Sequence, residues 1–133
     1  MLQGLAPIVS RHTRLMVLGS FPSAASLAAQ QYYAHPRNHF WPIVGSLLRV
    51  PLHTMPYAQR VGVLHQRGLG VWDVYASCRR EGSLDVDIED AQMNDLPSLK
   101  QRAPQLVALA HNGGESARAM RVTRTLGLPV LRM

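Results

Sequence analysis

The sequence predicts an α/β fold, a three-layer α/β/α sandwich around a central, largely parallel four-stranded sheet. Three observations lead there. Short apolar runs recur at 14–19 (RLMVLG), 69–77 (LGVWDVYAS) and 106–111 (LVALAH), with the start of a fourth at 129–133. Strands buried on both faces by crossover helices read as such unbroken runs. Segments with helical spacing of apolar residues stand between them, so strand and helix alternate as parallel βαβ units require. Finally, Gly, Pro, Asn and Ser cluster at the junctions, where turns and caps belong. At 133 residues there is room for one well-buried domain and not for two.

In chain order, residues 1–13 carry a Gly and a Pro with weak periodicity and read as an N-terminal arm with a short helix. The first strand, 14–19, ends at Gly19. Pro22 and Ser23 start an Ala- and Leu-rich helix that runs to Gln30. Residues 31–37 form a loop, because Pro36 biases its predecessor away from helix. Asn38 is the expected cap of a helix with Phe40, Ile43, Val44, Leu47 and Leu48 at helical spacing, closed by Pro51. Pro42 is tolerable there because it lies near the first turn. A second amphipathic helix spans 56–66. The run 69–77 is rich in β-formers and reads as one strand, interrupted only by Asp73. Residues 79–95 hold few apolar side chains and read as an exposed loop. Asp95 caps a short helix to Arg102, the third strand follows, and Asn112-Gly113-Gly114 turns into a helix from about Glu115 to Leu126.

Fourteen basic residues oppose eight acidic ones, and Lys100 is the one lysine among the fourteen. Arginine grips phosphate through a planar fork and stacks on bases, so this excess suits a nucleic-acid partner. A general bias of Arg over Lys is the competing explanation. Six of the eight acids lie between Glu81 and Asp95, which leaves the remaining surface more basic than the net +6 implies. No apolar run reaches the length of a membrane span, and the N-terminus lacks the pattern of a secretion signal. A single cysteine, Cys78, rules out an intrachain disulfide and a multi-cysteine zinc site, and the default expectation is a reducing, cytoplasmic location.

Ligands of open α/β sheets sit beyond the carboxyl ends of the strands. Here those positions are Gly19 to Ser23, Asp73 to Arg80 and His111 to Gly114. Between the first two lie Tyr32, Tyr33, His35, Arg37, Asn38, His39, Phe40 and Trp41, within ten residues. His35 and His39 have the spacing of helical metal ligands, but Pro36 forbids a helix between them and no third ligand is near. The acidic run Asp85 to Asp90 lacks the glycine of a calcium loop and reads as solvated. Gly19–Ser23 lacks the Gly-Lys-Ser/Thr ending of a phosphate loop, and Gly-x-Ser-x-Gly is absent. Cys78 reads as a small buried residue. Singly, Asn38 is a cap, Asn112 a turn residue, and the aromatics core. Together they describe a polar pocket with an aromatic wall, suited to a flat heterocycle.

These segments carry a resemblance. Gly19-Ser20-Phe21-Pro22-Ser23, Tyr32-Tyr33-Ala34-His35-Pro36-Arg37-Asn38-His39-Phe40-Trp41-Pro42, Val71 to Cys78 and Ala110-His111-Asn112-Gly113 resemble the uracil-DNA glycosylase superfamily. They most resemble its hypoxanthine-DNA (deoxyinosine) glycosylase branch, sometimes called family 6. The resemblance implies a monofunctional enzyme of base excision repair. It would flip a deaminated base, hypoxanthine foremost, out of double-stranded DNA and hydrolyse its N-glycosidic bond. No metal, cofactor or covalent lysine intermediate is expected, nor a membrane, and a monomer is expected.

By the same resemblance Phe21 stands where several relatives carry Asp or Asn, and catalysis is attributed to Asn38, with Asn112 sharing in it. Tyr33 would cover the flipped ring, and Phe21, Asp73 and Asn112 would line or read the base. Gly19, Ser20, Pro22 and Ser23, with His35 and Arg37, would approach the sugar and phosphates. Phe40 and Trp41 become packing behind the pocket. Residues 1–133 are expected to form one such domain, cut short at the C-terminus before the second-motif loop, which would follow Met133. The readings left open are a glycosylase preferring uracil or mismatched bases, a non-catalytic nucleic-acid binder, and a nucleoside-binding protein.

Overall fold

A computed structural model describes all residues, 1–133. In chain order it contains β1 (Leu2–Gln3), β2 (Leu15–Gly19), α1 (Ala24–Ala29), α2 (Phe40–Leu48), α3 (Tyr57–Gln66), β3 (Leu69–Asp73), β4 (Tyr75–Arg79), β5 (Glu89–Met93), α4 (Leu99–Arg102), β6 (Ala108–His111), α5 (Gly114–Ala117), α6 (Met120–Thr123) and β7 (Val130–Arg132). Single 3₁₀ turns lie at Leu52–Thr54, Asp85–Asp87, Leu96–Ser98 and Arg124–Leu126. The main sheet has four strands in the order β3-β2-β6-β7, all parallel, which is the predicted α/β architecture.

The period of two along β2 divides the core into two layers. Met16 and Leu18 point to one face, with Trp72, Leu96, Leu99, Leu109, Ala119 and Leu126. Val17 points to the other, with Val71, Phe40, Trp41, Val44, Leu52 and Leu64 from the α2–α3 side. Met16, Leu18, Leu64, Leu99 and Leu109 are fully buried. Within α2 the buried stripe is Phe40, Trp41, Val44 and Gly45. Ile43 and Leu47, expected on the core face, are 52% and 77% exposed, because the stripe follows the aromatic pair and leaves positions 43 and 47 beside it.

Several elements depart from expectation. The arm at 1–13 is extended rather than helical. Leu2 and Gln3 pair with Cys78 and Ser77, and Ile8 bridges Val71 antiparallel, covering the free edge of β3. The apolar run 69–77 is two strands in two sheets. β3 follows β2 to the register Gly19↔Asp73, where β2 ends, and beyond it Tyr75 turns to pair with Met93 of β5. The acidic stretch expected to be loop therefore includes β5, exposed along its length, in a small antiparallel sheet ordered β1-β4-β5. The helix expected over 115–126 is divided at Arg118–Ala119, where the amides bond back three residues to Glu115 and Ser116. The cap of α2 is His39, one residue later than expected, while Asn38 Oδ1 accepts the Phe40 N–H at 2.8 Å. The Ser23 cap of α1 and the Asp95 cap of the turn at Leu96 are as predicted.

Candidate active site

The parallel register brings three strand ends together. Gly19 is level with Asp73, and Leu18 with His111, so Asn112 follows beside the turn that Gly19 begins. Backbone bonds fix this junction: Val74 N–H to Gly19 O (2.8 Å), Tyr75 N–H to Ser20 O (3.1 Å) and Asn112 N–H to Leu18 O (2.8 Å). Beyond it opens a pocket of about 240 Å³. Gly19 through Ser23 form one wall, Tyr32, Tyr33 and Asn38 another, and Asp73 and Asn112 the strand-end floor, with Ser26, Ser83 and Asp85 completing the lining. Glycine at position 19 is a steric requirement. A Cβ there would stand 2.5 Å from Asp73 Oδ1 and 3.0 Å from the Tyr33 hydroxyl.

The aromatic wall is held from behind. Trp41 Nε1–H donates to Tyr32 O at 2.9 Å, Tyr57 accepts the Tyr32 N–H, and the Tyr32 hydroxyl donates to Ala6 O at 2.8 Å. Tyr33 adopts φ 53°, a left-handed conformation uncommon for a bulky side chain. Its ring stacks on Phe40 with centroids 4.0 Å apart and planes 16° from parallel, and its hydroxyl accepts from Asn112 Nδ2 at 3.3 Å. Burial pushes the Tyr33 phenol up, and the neighbouring charge of Asp73 adds to that. Phe40 and Trp41 are packing behind the pocket, as expected.

Asp73 is the unusual group. It is 4% exposed, its Oδ2 has no hydrogen-bond partner, and it lines the cavity. Burial disfavours the carboxylate, Asp85 nearby adds a like charge, and Arg80 opposes both. The carboxyl is pushed up to about 7. At neutral pH it can therefore present either a proton or a lone pair to a ligand. Behind the floor, Ser116 Oγ–H donates to Leu18 O at 2.7 Å and meets His111 Nδ1 at 2.8 Å, while Thr123 Oγ1 meets Nε2 at 2.9 Å. With the Ser116 proton committed to Leu18, Nδ1 carries the imidazole hydrogen and Nε2 accepts from Thr123, consistent with burial holding His111 neutral.

Of the residues singled out from sequence, Gly19, Ser20, Phe21, Pro22, Ser23, Tyr33, Asn38, Asp73 and Asn112 all line this one pocket. His35 and Arg37 do not. They are exposed on the loop outside it, where His35 Nδ1 accepts the Arg37 N–H. No metal-like group of His, Cys, Asp and Glu side chains forms around His35 and His39. Sequence reasoning missed Asp85, Ser83 and Arg80. Asp85 accepts from Ser20 Oγ–H at 2.6 Å, and Arg80 donates to Pro22 O at 2.6 Å while its guanidinium lies 5.3 Å from the Phe21 ring centre. Nothing local marks these residues, since the acidic loop comes from some sixty residues downstream. A wider hollow of about 650 Å³ lies between Met1–Leu2 and Arg79–Glu81, but no buried, unpartnered carboxylate faces it.

A parallel β3-β2-β6-β7 sheet with an amide-, carboxyl- and aromatic-lined pocket past its strand ends is an open α/β domain, and it matches a uracil-DNA-glycosylase-like protein in structure. The solution NMR structure of a Methanosarcina acetivorans protein, provisionally described as a uracil DNA glycosylase, superposes with a TM-score of 0.91. That match has 33% identity and covers 98% of this chain and 81% of the other. Two curated relatives, both named hypoxanthine DNA glycosylase, are similar over 125 residues, 94% of this chain and 79% of their own length. They come from Methanosarcina barkeri (35% identical) and Methanosarcina acetivorans (34%). No model of a known protein family matches the chain. On these relationships the chain belongs to the hypoxanthine DNA glycosylase family, a branch of DNA glycosylases with the uracil-DNA-glycosylase fold.

Proposed function

We propose that this protein is a monofunctional DNA glycosylase that flips a deaminated base, hypoxanthine foremost, out of duplex DNA and hydrolyses its N-glycosidic bond. The observation that carries the reading is the buried Asp73 carboxyl, unpartnered at Oδ2 and set among Asn112 and Tyr33 in a pocket of about 240 Å³. That volume lies below the roughly 300–1,000 Å³ of pockets for drug-sized ligands. It suits a single flat heterocycle whose edge carries both a donor and an acceptor, as the N1–H and O6 of hypoxanthine do. Phe40 covers one face of Tyr33, and in this reading the base stacks on the other.

In this reading a neutral Asp73 donates to the departing base and spreads the charge that accumulates on it. Asn38, its Oδ1 direction set by the Phe40 N–H, orients water toward C1′ and stabilises the oxocarbenium-like transition state, with Asn112 assisting. The one lysine, Lys100, sits in α4 and does not line the pocket, which favours hydrolysis by water over a covalent amine intermediate. His35 and Arg37 contact phosphates outside the pocket. Only two ion pairs form, Arg79–Asp90 and Arg118–Glu115, so the basic excess is left largely unneutralised for DNA phosphates.

The test is alkaline strand cleavage of duplexes carrying a single hypoxanthine, uracil or xanthine, with Asn38→Ala alongside. Hypoxanthine release by the wild type and a rate loss of roughly 10²-fold or more in the variant are expected. Full activity in Asn38→Ala would remove that residue from the mechanism. Uracil carries the same donor–acceptor edge, and faster release of uracil would move the substrate assignment to it. DNA affinity should fall steeply with salt.

A further inference from the structure

Hydrolysis at C1′ needs more than an orienting amide. As water attacks, its oxygen gains positive character and must lose a proton, and the sugar carries positive charge. A carboxamide such as Asn38 accepts a hydrogen bond but is too weak a base to keep that proton. Two carboxylates reach the pocket. Asp73 is a poor place for negative charge, being buried and without a partner at Oδ2. The other is Asp85, which enters from the 3₁₀ turn between β4 and β5.

The loop that carries Asp85 is fastened to the Gly19–Ser23 segment at three points. Ser20 Oγ–H donates to Asp85 Oδ1 at 2.6 Å, the Ala24 N–H donates to Ser83 Oγ at 2.8 Å, and Arg80 donates to Pro22 O at 2.6 Å. Arg80 also holds the loop's own Gly82 O at 2.9 Å. Leu84 and Val86, on either side of Asp85, are 64% and 86% exposed. A loop shaped by apolar burial would turn those two inward and leave the acid in water. This loop leaves both apolar side chains in water, and Asp85, itself exposed, is held at the pocket rim by Ser20. Asp85 is near enough for its charge to act on both Asp73 and Tyr33.

We propose that Asp85 is a catalytic residue, its carboxylate held at the pocket rim by Ser20 to take a proton from the attacking water and face the developing positive charge on the sugar. This rests on the glycosylase reading above. A lone pair of the water oxygen forms the C1′–O bond while the C1′–N bond breaks and its electron pair leaves with the base. One water proton passes to Asp85 and then to solvent. The base takes up one proton, from the carboxyl of Asp73 or from solvent, so one water is consumed and the charges balance. The two acids thus divide the work by environment: the buried one serves the leaving group, and the exposed, hydrogen-bonded one serves water and sugar.

Asp85→Asn keeps the shape and the Ser20 contact while removing charge and basicity, and its exposed position spares the fold. Single-turnover excision from a hypoxanthine duplex should slow by roughly 10²-fold or more in this variant. Its affinity for the same duplex bearing a hydrolysis-resistant 2′-fluoro sugar should change by less than about threefold, because the loss lies in the transition state. Asp85→Glu should recover part of the rate, and Ser20→Ala should slow excision by roughly tenfold through misplacing the carboxylate. An Asp85→Asn rate within about threefold of an active wild type would overturn the proposal, as would a rate loss matched by an equal loss of affinity. A wild type that releases no base overturns the glycosylase reading itself, and this proposal with it.

Discussion

Asp73→Asn is expected to make the protein more stable above neutral pH while disabling its pocket. Holding the carboxyl at about 7 rather than its ordinary 3.8 corresponds to about 4 kcal/mol in favour of the protonated form, at about 1.4 kcal/mol for each pH unit. The folded chain therefore keeps a proton that the unfolded chain gives up as pH rises past about 4. Wild-type stability falls across the window from about pH 4 to about pH 7 and levels off above it. Asparagine is neutral throughout, so the variant escapes that decline. With Asp73 only 4% exposed, solvent screening removes little of the effect, and a gain of about 2–4 kcal/mol at pH 8 is expected. For a chain of this size that is an increase in Tm of roughly 10 °C, shrinking toward zero at pH 4. His111, held neutral by burial, loses stability as pH falls below its ordinary range, but it does so in both proteins and cancels in the difference. The measurement is thermal unfolding of both proteins from pH 4 to 8. A gap between them that does not change with pH would refute the placement of Asp73 as a buried, unpaired carboxyl. The proposed role of Asp73 toward the leaving base predicts that excision falls in the same variant.

Two further substitutions probe the walls. Gly19→Ala puts a methyl 2.5 Å from Asp73 Oδ1 and should cost about 1–3 kcal/mol while pushing the carboxyl and Tyr33 out of position. A lowered Tm together with weakened binding of lesion-containing duplex is the expected pair, and an unchanged Tm would contradict the close approach. Trp41→Phe leaves the buried Tyr32 carbonyl without its 2.9 Å donor and should cost about 2–3 kcal/mol by urea unfolding. Because Tyr33 follows directly, excision should also fall in proportion to the loosening of that loop.

The strands were legible in the sequence because parallel strands buried on both faces leave continuous apolar runs. For the same reason the run 69–77 misled: apolarity does not record the point where β2 ends and its neighbour must find another partner. Helical spacing likewise found α2 and its buried Phe40 and Val44, but it placed Ile43 and Leu47 inward where the structure buries Trp41 and Gly45. Sequence by itself determined the parallel α/β class and the strand-end position of the pocket. Strand ends marked Gly19–Ser23, Asp73 and Asn112 as pocket positions, and clustering added Tyr33 and Asn38, while their separate roles came only from the family resemblance. Tertiary structure alone decided that Asp73 is buried with a free oxygen, that Gly19 has no room for a side chain, and that the acidic loop closes the site through Asp85. Each depends on which atoms from distant segments share the same few ångströms, and an acidic loop that stays in water has the same composition as one that Ser20 draws to the pocket.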